Sequence, residues 1–241
     1  MKKKKKNNLL GLATGVTYKK IQPVSDQAVS LCKETGANAI EISCHECKQI
    51  PLLWGLNMHK LMGFTHSSLH MPTDIQYGSS RHIRSVELLR EFCRRNNNVI
   101  RCAVFHPDLV IDWGVLIEFS QFVTIAIENM DNRKECFQTE KEIQKILSKY
   151  PEIKLVFDIN HWITNGNSIE SAFDFLKKFK KNIVEIHISG HWESHEPIFK
   201  TLQTELIEVA SKASTLIPII IESALSHQDV KKEYELIKSL L

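Results

Sequence analysis

Six apolar runs in this chain end on a residue able to hold a cation or carry a proton. They are Ser68-Leu69-His70, Val104-Phe105-His106, Ala126-Ile127-Glu128, Val156-Phe157-Asp158, Glu185-Ile186-His187 and Ile220-Ile221-Glu222. One such residue at a strand end ordinarily accepts or donates a hydrogen bond and does nothing more. Six in register ask for another explanation. Carboxylates gathered at one place repel one another, and a bound cation is the usual remedy. A mixed carboxylate and imidazole set suits Zn, Mn, Fe or Co better than Ca. Any of these six side chains can ligate such an ion.

The elements that position these residues follow from periodicity. Short β-branched runs cover Leu9 to Val16, Ala39 to Ser43, Thr65 to His70, Val99 to His106, Val123 to Met130, Ile153 to Asp158, Ile183 to Ser189 and Leu216 to Ser223. Between them lie stretches with apolar residues three and four apart, the mark of amphipathic helices. Ser25-Asp26 opens the first helix and Gly36 closes it. A later one opens at Ser168-Ile169-Glu170 with Ala172, Phe173, Leu176 and Phe179 on one face. The last spans about Gln228 to Leu240, with Val230, Tyr234, Ile237 and Leu240 inward. Eight strand–helix units of roughly thirty residues each predict an α/β fold, a single-domain (β/α)8 TIM barrel over 9–241. A doubly wound open sheet is the alternative, but Leu12-Ala13-Thr14-Gly15 lacks its GxGxxG turn. In a TIM barrel the active site lies at the C-terminal strand ends, where the six residues fall.

Composition limits the partners. The 241 residues are 43% apolar and 24% charged, with a net charge of +3. That balance does not favour nucleic acid. Lys2 to Lys6 read as part of a disordered basic N-terminal tail, 1–8, without a specific partner. No apolar stretch is long enough for a secretory signal or a membrane span, so no membrane partner is expected. Six scattered cysteines read as reduced thiols, and the expected location is cytoplasmic.

The strand ends resemble those of the xylose isomerase-like TIM barrels, a superfamily of sugar isomerases, sugar epimerases and endonuclease IV. The resemblance rests on Ile-Glu128-Asn-Met, Phe-Asp158-Ile-Asn-His161, Ile-His187-Ile-Ser-Gly and Ile-Glu222-Ser. It implies a metal tetrad of Glu128, Asp158, His187 and Glu222 holding one to three ions, with His70, His106, His161, Glu193 and His195 as candidate additional ligands, and it leaves three readings open. The first is an isomerase or epimerase of a small sugar or polyol. Glu128 and Glu222 would exchange the proton, and His161 would orient the substrate. Trp113, Trp162 and Trp192, just past strand ends, would stack on the sugar, with His70 beside them. Ser189-Gly190-His191-Trp192-Glu193 departs from the Asp and Arg that many epimerases carry there. The second is a multinuclear phosphodiesterase similar to endonuclease IV, in which His70, His106, Glu193 and His195 become further ligands. The third is a multinuclear iron enzyme that modifies a ribosomal peptide, suggested by Val184-Glu185-Ile186-His187-Ile188-Ser189-Gly190-His191. The isomerase reading stands first because its tetrad and both glutamates are complete. The expected partner is a small molecule, with nucleic acid less favoured and a peptide substrate third. A binding barrel without catalysis has no feature in its support.

Other residues are set aside. Cys44-His45-Glu46-Cys47 has no second cysteine pair and reads as ordinary loop thiols, with His45 facing the same mouth. Glu41 reads as a hydrogen-bond partner behind the ligands. His59, His66, His82 and His227 read as surface or packing residues away from the mouth, and Lys177 to Lys181 as a solvated helix end.

Overall fold

A computed structural model of the protein describes residues 8–192 and 195–241. Eight parallel strands close into a barrel in chain order: β1 (Leu10–Ala13), β2 (Ala39–Ser43), β3 (His66–His70), β4 (Cys102–Phe105), β5 (Thr124–Glu128), β6 (Ile153–Asp158), β7 (Ile183–Ile188) and β8 (Ile219–Ile221). Closure is made by β8 on β1, with Leu10 opposite Ile219 and Leu12 opposite Ile221. Each apolar run holds one strand, trimmed where the chain turns. Thr14–Thr17 form a 3-10 turn, and Pro107, which has no N–H to give a ladder, opens another after His106.

The period of two along each strand separates two environments. Ile40, Ile42, Phe105, Ile127, Phe157 and Ile186 face the helices and form the main core. Cys102, Val104, Ala126 and Val156 form a separate small cluster in the lumen. Polar lumen residues meet across the barrel: His66 on β3 reaches Glu185 on β7, two strands that are not neighbours in the sheet. The β6–β7 register shifts by one residue between Leu155 and Val156, which pair with Ile183 and Glu185. This bulge re-phases β7, so Ile183 joins the outer core while Glu185 turns into the lumen.

Helix 26–34 is capped as its sequence predicts. The Ser25 hydroxyl accepts the Ala28 N–H, and Gly36 takes φ +85° beyond the end. Two helical stripes differ from expectation. On helix 169–178 the buried face is Ala172, Phe175 and Leu176, with Phe173 half-buried. Phe175 wins that place because Phe157 and Trp162 pack on it, at centroid distances of 4.6 and 4.5 Å. On helix 230–240, Val230, Tyr234 and Ile237 are buried, but Leu240 in the last turn is exposed.

Asn8, placed in the tail by sequence, is tied down. Its amide donates to the Leu241 carbonyl, and its own carbonyl accepts from Asn38. Residues 1–7, with the lysine run, lie outside the described residues. All six cysteines are free thiols. Among the described residues no helix is long and apolar enough to cross a membrane.

Candidate metal centre

The four expected ligands converge. Glu128, Asp158, His187 and Glu222 each present an atom within 4.8 Å of the others. Glu128 and Asp158 close their strands, His187 stands one residue before the end of β7 and Glu222 one residue after β8, so parallel register brings them to one level of the mouth. Main-chain and side-chain locks fix the strand ends. Asn129 donates to the Asp158 carbonyl and accepts the Asp158 N–H, both at 2.9 Å. Asp158 Oδ1 caps helix 159–164 by accepting the His161 N–H at 2.9 Å. That cap explains the Asp-x-x-His spacing: one turn returns His161 to the mouth, and its Nδ1 lies 3.2 Å from Glu128 Oε1.

A second group adjoins the first. His70, His106 and Glu128 also bring ligand atoms within 4.8 Å of one another. His70 Nε2 and His106 Nε2 face Glu128 Oε2 at 3.4 and 3.3 Å. Glu128 Oε1 faces His187 Nδ1 at 3.5 Å. Each carboxylate oxygen thus belongs to a different cluster. His195, with φ +52°, lies beside His161 at a ring distance of 5.7 Å, and its Nδ1 is 3.0 Å from the Ser189 hydroxyl. Glu193 lies outside the described residues.

The charges have a physical pattern. Burial opposes ionisation of Glu128, but His161, His106, His187 and His70 around it hold its carboxyl well below the usual range. Burial likewise opposes charge on His70, yet Glu128, Glu41 and Glu222 raise it to about 9. The same glutamates overcome burial at His187 and raise it well above its ordinary value. Burial lifts Asp158 to about 6, with His161 opposing. Imidazole protons therefore take the place of positive charge that the carboxylates demand.

The donors fit a divalent metal. Glu128 Oε2, Asp158 Oδ2 and His187 Nδ1 are buried polar atoms with no hydrogen-bond partner. Such orphans are costly unless something else binds them. His187 Nδ1 stands 3.4 Å from Glu222 Oε2 and 3.5 Å from Glu128 Oε1. Ligands bonded tetrahedrally at about 2.1 Å lie about 3.4 Å apart.

Above these groups opens a cavity of about 640 Å³, a size suited to a small molecule. Glu128, Glu222, His70, His106, His161 and His195 line it. So does His45, stacked on His70 at 4.9 Å. Asp131, which the sequence marks only by its place three residues after Glu128, is a buried cavity residue whose Oδ2 lies 3.8 Å from His161 Nε2. The expected aromatic platform is corrected, because none of the three tryptophans lines the cavity. Trp162 is buried behind β6, where its indole N–H donates to Ser171 and its ring packs on Phe175. Trp113 stacks on Tyr150 in the outer layer, and Trp192 is 68% exposed away from the wall. Packing claims the Trp113 and Trp162 rings before a ligand can.

No family model matches the chain, and no curated protein matches it in sequence. Solved structures match its backbone. Endonuclease IV from Thermus thermophilus aligns at TM-score 0.66 and 12% identity, over 89% of this chain and 93% of that one. D-allulose 3-epimerase from Methylomonas sp. in complex with D-allulose aligns at 0.63 and 16%, over 98% of each chain. The 3-keto-D-glucoside 4-epimerase of E. coli aligns at 0.63 and 11%, over 91% and 95%.

The chain shares with these proteins the closed eight-stranded (β/α)8 barrel fold. At such identities the likeness concerns the backbone, and proteins named for different reactions share it. The reaction has to be argued from the side chains of this mouth.

Proposed function

We propose that this chain is a multinuclear metalloenzyme that hydrolyses a small phosphate ester, with two adjoining cation positions that share Glu128. The observation that carries this reading is the division of Glu128: Oε2 faces His70 and His106, while Oε1 faces His187 and His161. A one-ion isomerase needs only the tetrad and leaves His70 and His106 without work. Asp158, His187 and Glu222 would hold one ion, His70 and His106 the other, with Glu128 between them. When bound, a pair of divalent ions supplies Lewis-acid polarisation of a phosphoryl oxygen and a readily ionised water. His161 is held by its Nδ1 against the Asn129 carbonyl at 2.9 Å, which keeps its ring against the cavity. From there it can hydrogen-bond a substrate oxygen or move a proton.

The rim supports a small substrate over a polymer. Lys48, Lys134 and Arg133 stand on the cavity wall, but each is paired with an acid: Glu46, Asp108 and Asp131 respectively. Cations offset by acids at the cavity wall, with a net charge of only +3, do not favour tracking a phosphate backbone. One observation favours the sugar isomerase or epimerase as a second reading. Glu128 and Glu222 both face His187 Nδ1, so two carboxylates adjoin one ion position, as proton exchange between glutamates requires.

The deciding experiment counts metal and follows two chemistries in protein purified without chelator. We expect at least two transition-metal ions per chain and hydrolysis of bis(p-nitrophenyl) phosphate or p-nitrophenyl phosphate. His106→Ala should release one ion and most of that activity. A single ion, with epimerisation of a ketose from a test panel that survives His106→Ala, would establish the second reading instead. Iron with oxygen consumption and no phosphate release would sink both and point to oxidation of a peptide. Cleavage of abasic-site DNA in preference to the small esters would overturn the substrate size argued from the rim.

A further inference from the structure

Beneath the mouth the lumen contains a polar chain. His66, expected from sequence to be a surface or packing residue, instead points into the barrel, where its Nε2 donates to Glu185 Oε2 at 2.7 Å. Glu185 Oε1 accepts the Ser68 hydroxyl at 3.0 Å and His187 Nε2 at 3.1 Å. His187 is thus gripped from below through Nε2, while its Nδ1 faces Glu128 and Glu222 above and has no hydrogen-bond partner. A carboxylate only accepts, so the proton of the neutral imidazole must sit on Nε2. That leaves the Nδ1 lone pair for the ion position.

We infer that Glu185 is a positioning residue for the metal-binding imidazole of His187, and that His66 and Ser68 hold Glu185 in place. This deepens the metalloenzyme reading and rests on it. Three features make Glu185 the anchor. It sits two residues before His187 on β7, so both side chains enter the lumen once the bulge has re-phased the strand. It is fully buried, with both oxygens engaged by donors from two strands. The other carboxylate near His187 Nε2, Glu41 Oε2 at 3.3 Å, has no hydrogen bond. The single N–H goes to Glu185. A carboxylate behind a ligating histidine fixes its tautomer and ring angle, and losing it typically costs 10–100-fold in metal affinity.

The test is a Co²⁺ titration, followed by the visible d–d bands and by calorimetry, on the wild type, Glu185→Gln and Glu185→Leu. Glu185→Leu removes the acceptor and should weaken the affinity roughly 10–100-fold with shifted bands. Glu185→Gln keeps an acceptor oxygen without the charge and should lie between. It also carries the test if the leucine variant does not fold, as judged by circular dichroism. Wild-type binding with unchanged affinity and bands in both variants would overturn the positioning role while leaving the metal site standing. No Co²⁺ bound by the wild type would overturn the metal site and this role together.

Discussion

Glu128 and Glu185 are both carboxylates buried in one barrel, and both are surrounded by imidazoles. Glu185 accepts from His66, Ser68 and His187 at 2.7–3.1 Å, which are hydrogen-bond distances. Glu128 has His70, His106, His161 and His187 at 3.2–3.5 Å, and its Oε2 makes no hydrogen bond. The first arrangement is complete with protons alone. The second holds its partners at the spacing of ligands around an ion. Two carboxylates of equal burial are thus distinguished by the geometry of their neighbours, and the proposed function places the ions beside the second.

The largest expected effect breaks the comparison outright. Glu128→Ala should empty both ion positions and abolish turnover, as read by metal analysis and phosphate release. Full metal content in that variant would remove Glu128 from the bridging place.

The next effect is a pH dependence. His70 rises from 6.5 to about 9 in the folded protein, against burial, because Glu128, Glu41 and Glu222 hold its proton. A group raised in the folded state contributes stability that is fully present below its unfolded value and is lost as pH rises through the folded one. Metal-free protein should therefore lose thermal stability between pH 6.5 and about 9. Zn²⁺ or Mn²⁺ should reverse that loss, since ligand imidazoles must shed their protons to bind. A midpoint that stays flat across this window in the metal-free protein would show that His70 carries no such proton.

The smallest effect sharpens the contrast with a third carboxylate. Glu41 is fully buried, both its oxygens lack hydrogen bonds, and burial lifts it to about 7. Replacing a poorly satisfied buried charge with an apolar residue of similar volume is often neutral or stabilising. Glu41→Met should raise the melting midpoint by about 2–4 °C, on the scale of about 1 kcal/mol for a chain of this size. A lower midpoint together with reduced metal content would instead place Glu41 among the groups that hold an ion.

Much of the mouth was legible from residues alone because its signal is local. An apolar run that ends on Glu, Asp or His states both the strand and the position at its C-terminal end, and barrel closure brings such ends together. Asp158 and His161 were legible as a pair because one helical turn separates them. The tryptophans misled for a related reason. Proximity to a strand end says where a ring starts, and packing against Phe175 or Tyr150 decides where it goes.

The order of amino acids sufficed for the eight strands, the helices between them and the kinds of residue at the mouth, since period and termination are properties of short segments. It took the closed barrel to set His66 against Glu185 across the lumen, to turn Glu185 inward through a bulge in β7, and to bring Asp131 to the cavity wall. Those contacts join residues on different strands or loops. Their meeting depends on barrel closure, register and stagger, which no single segment encodes.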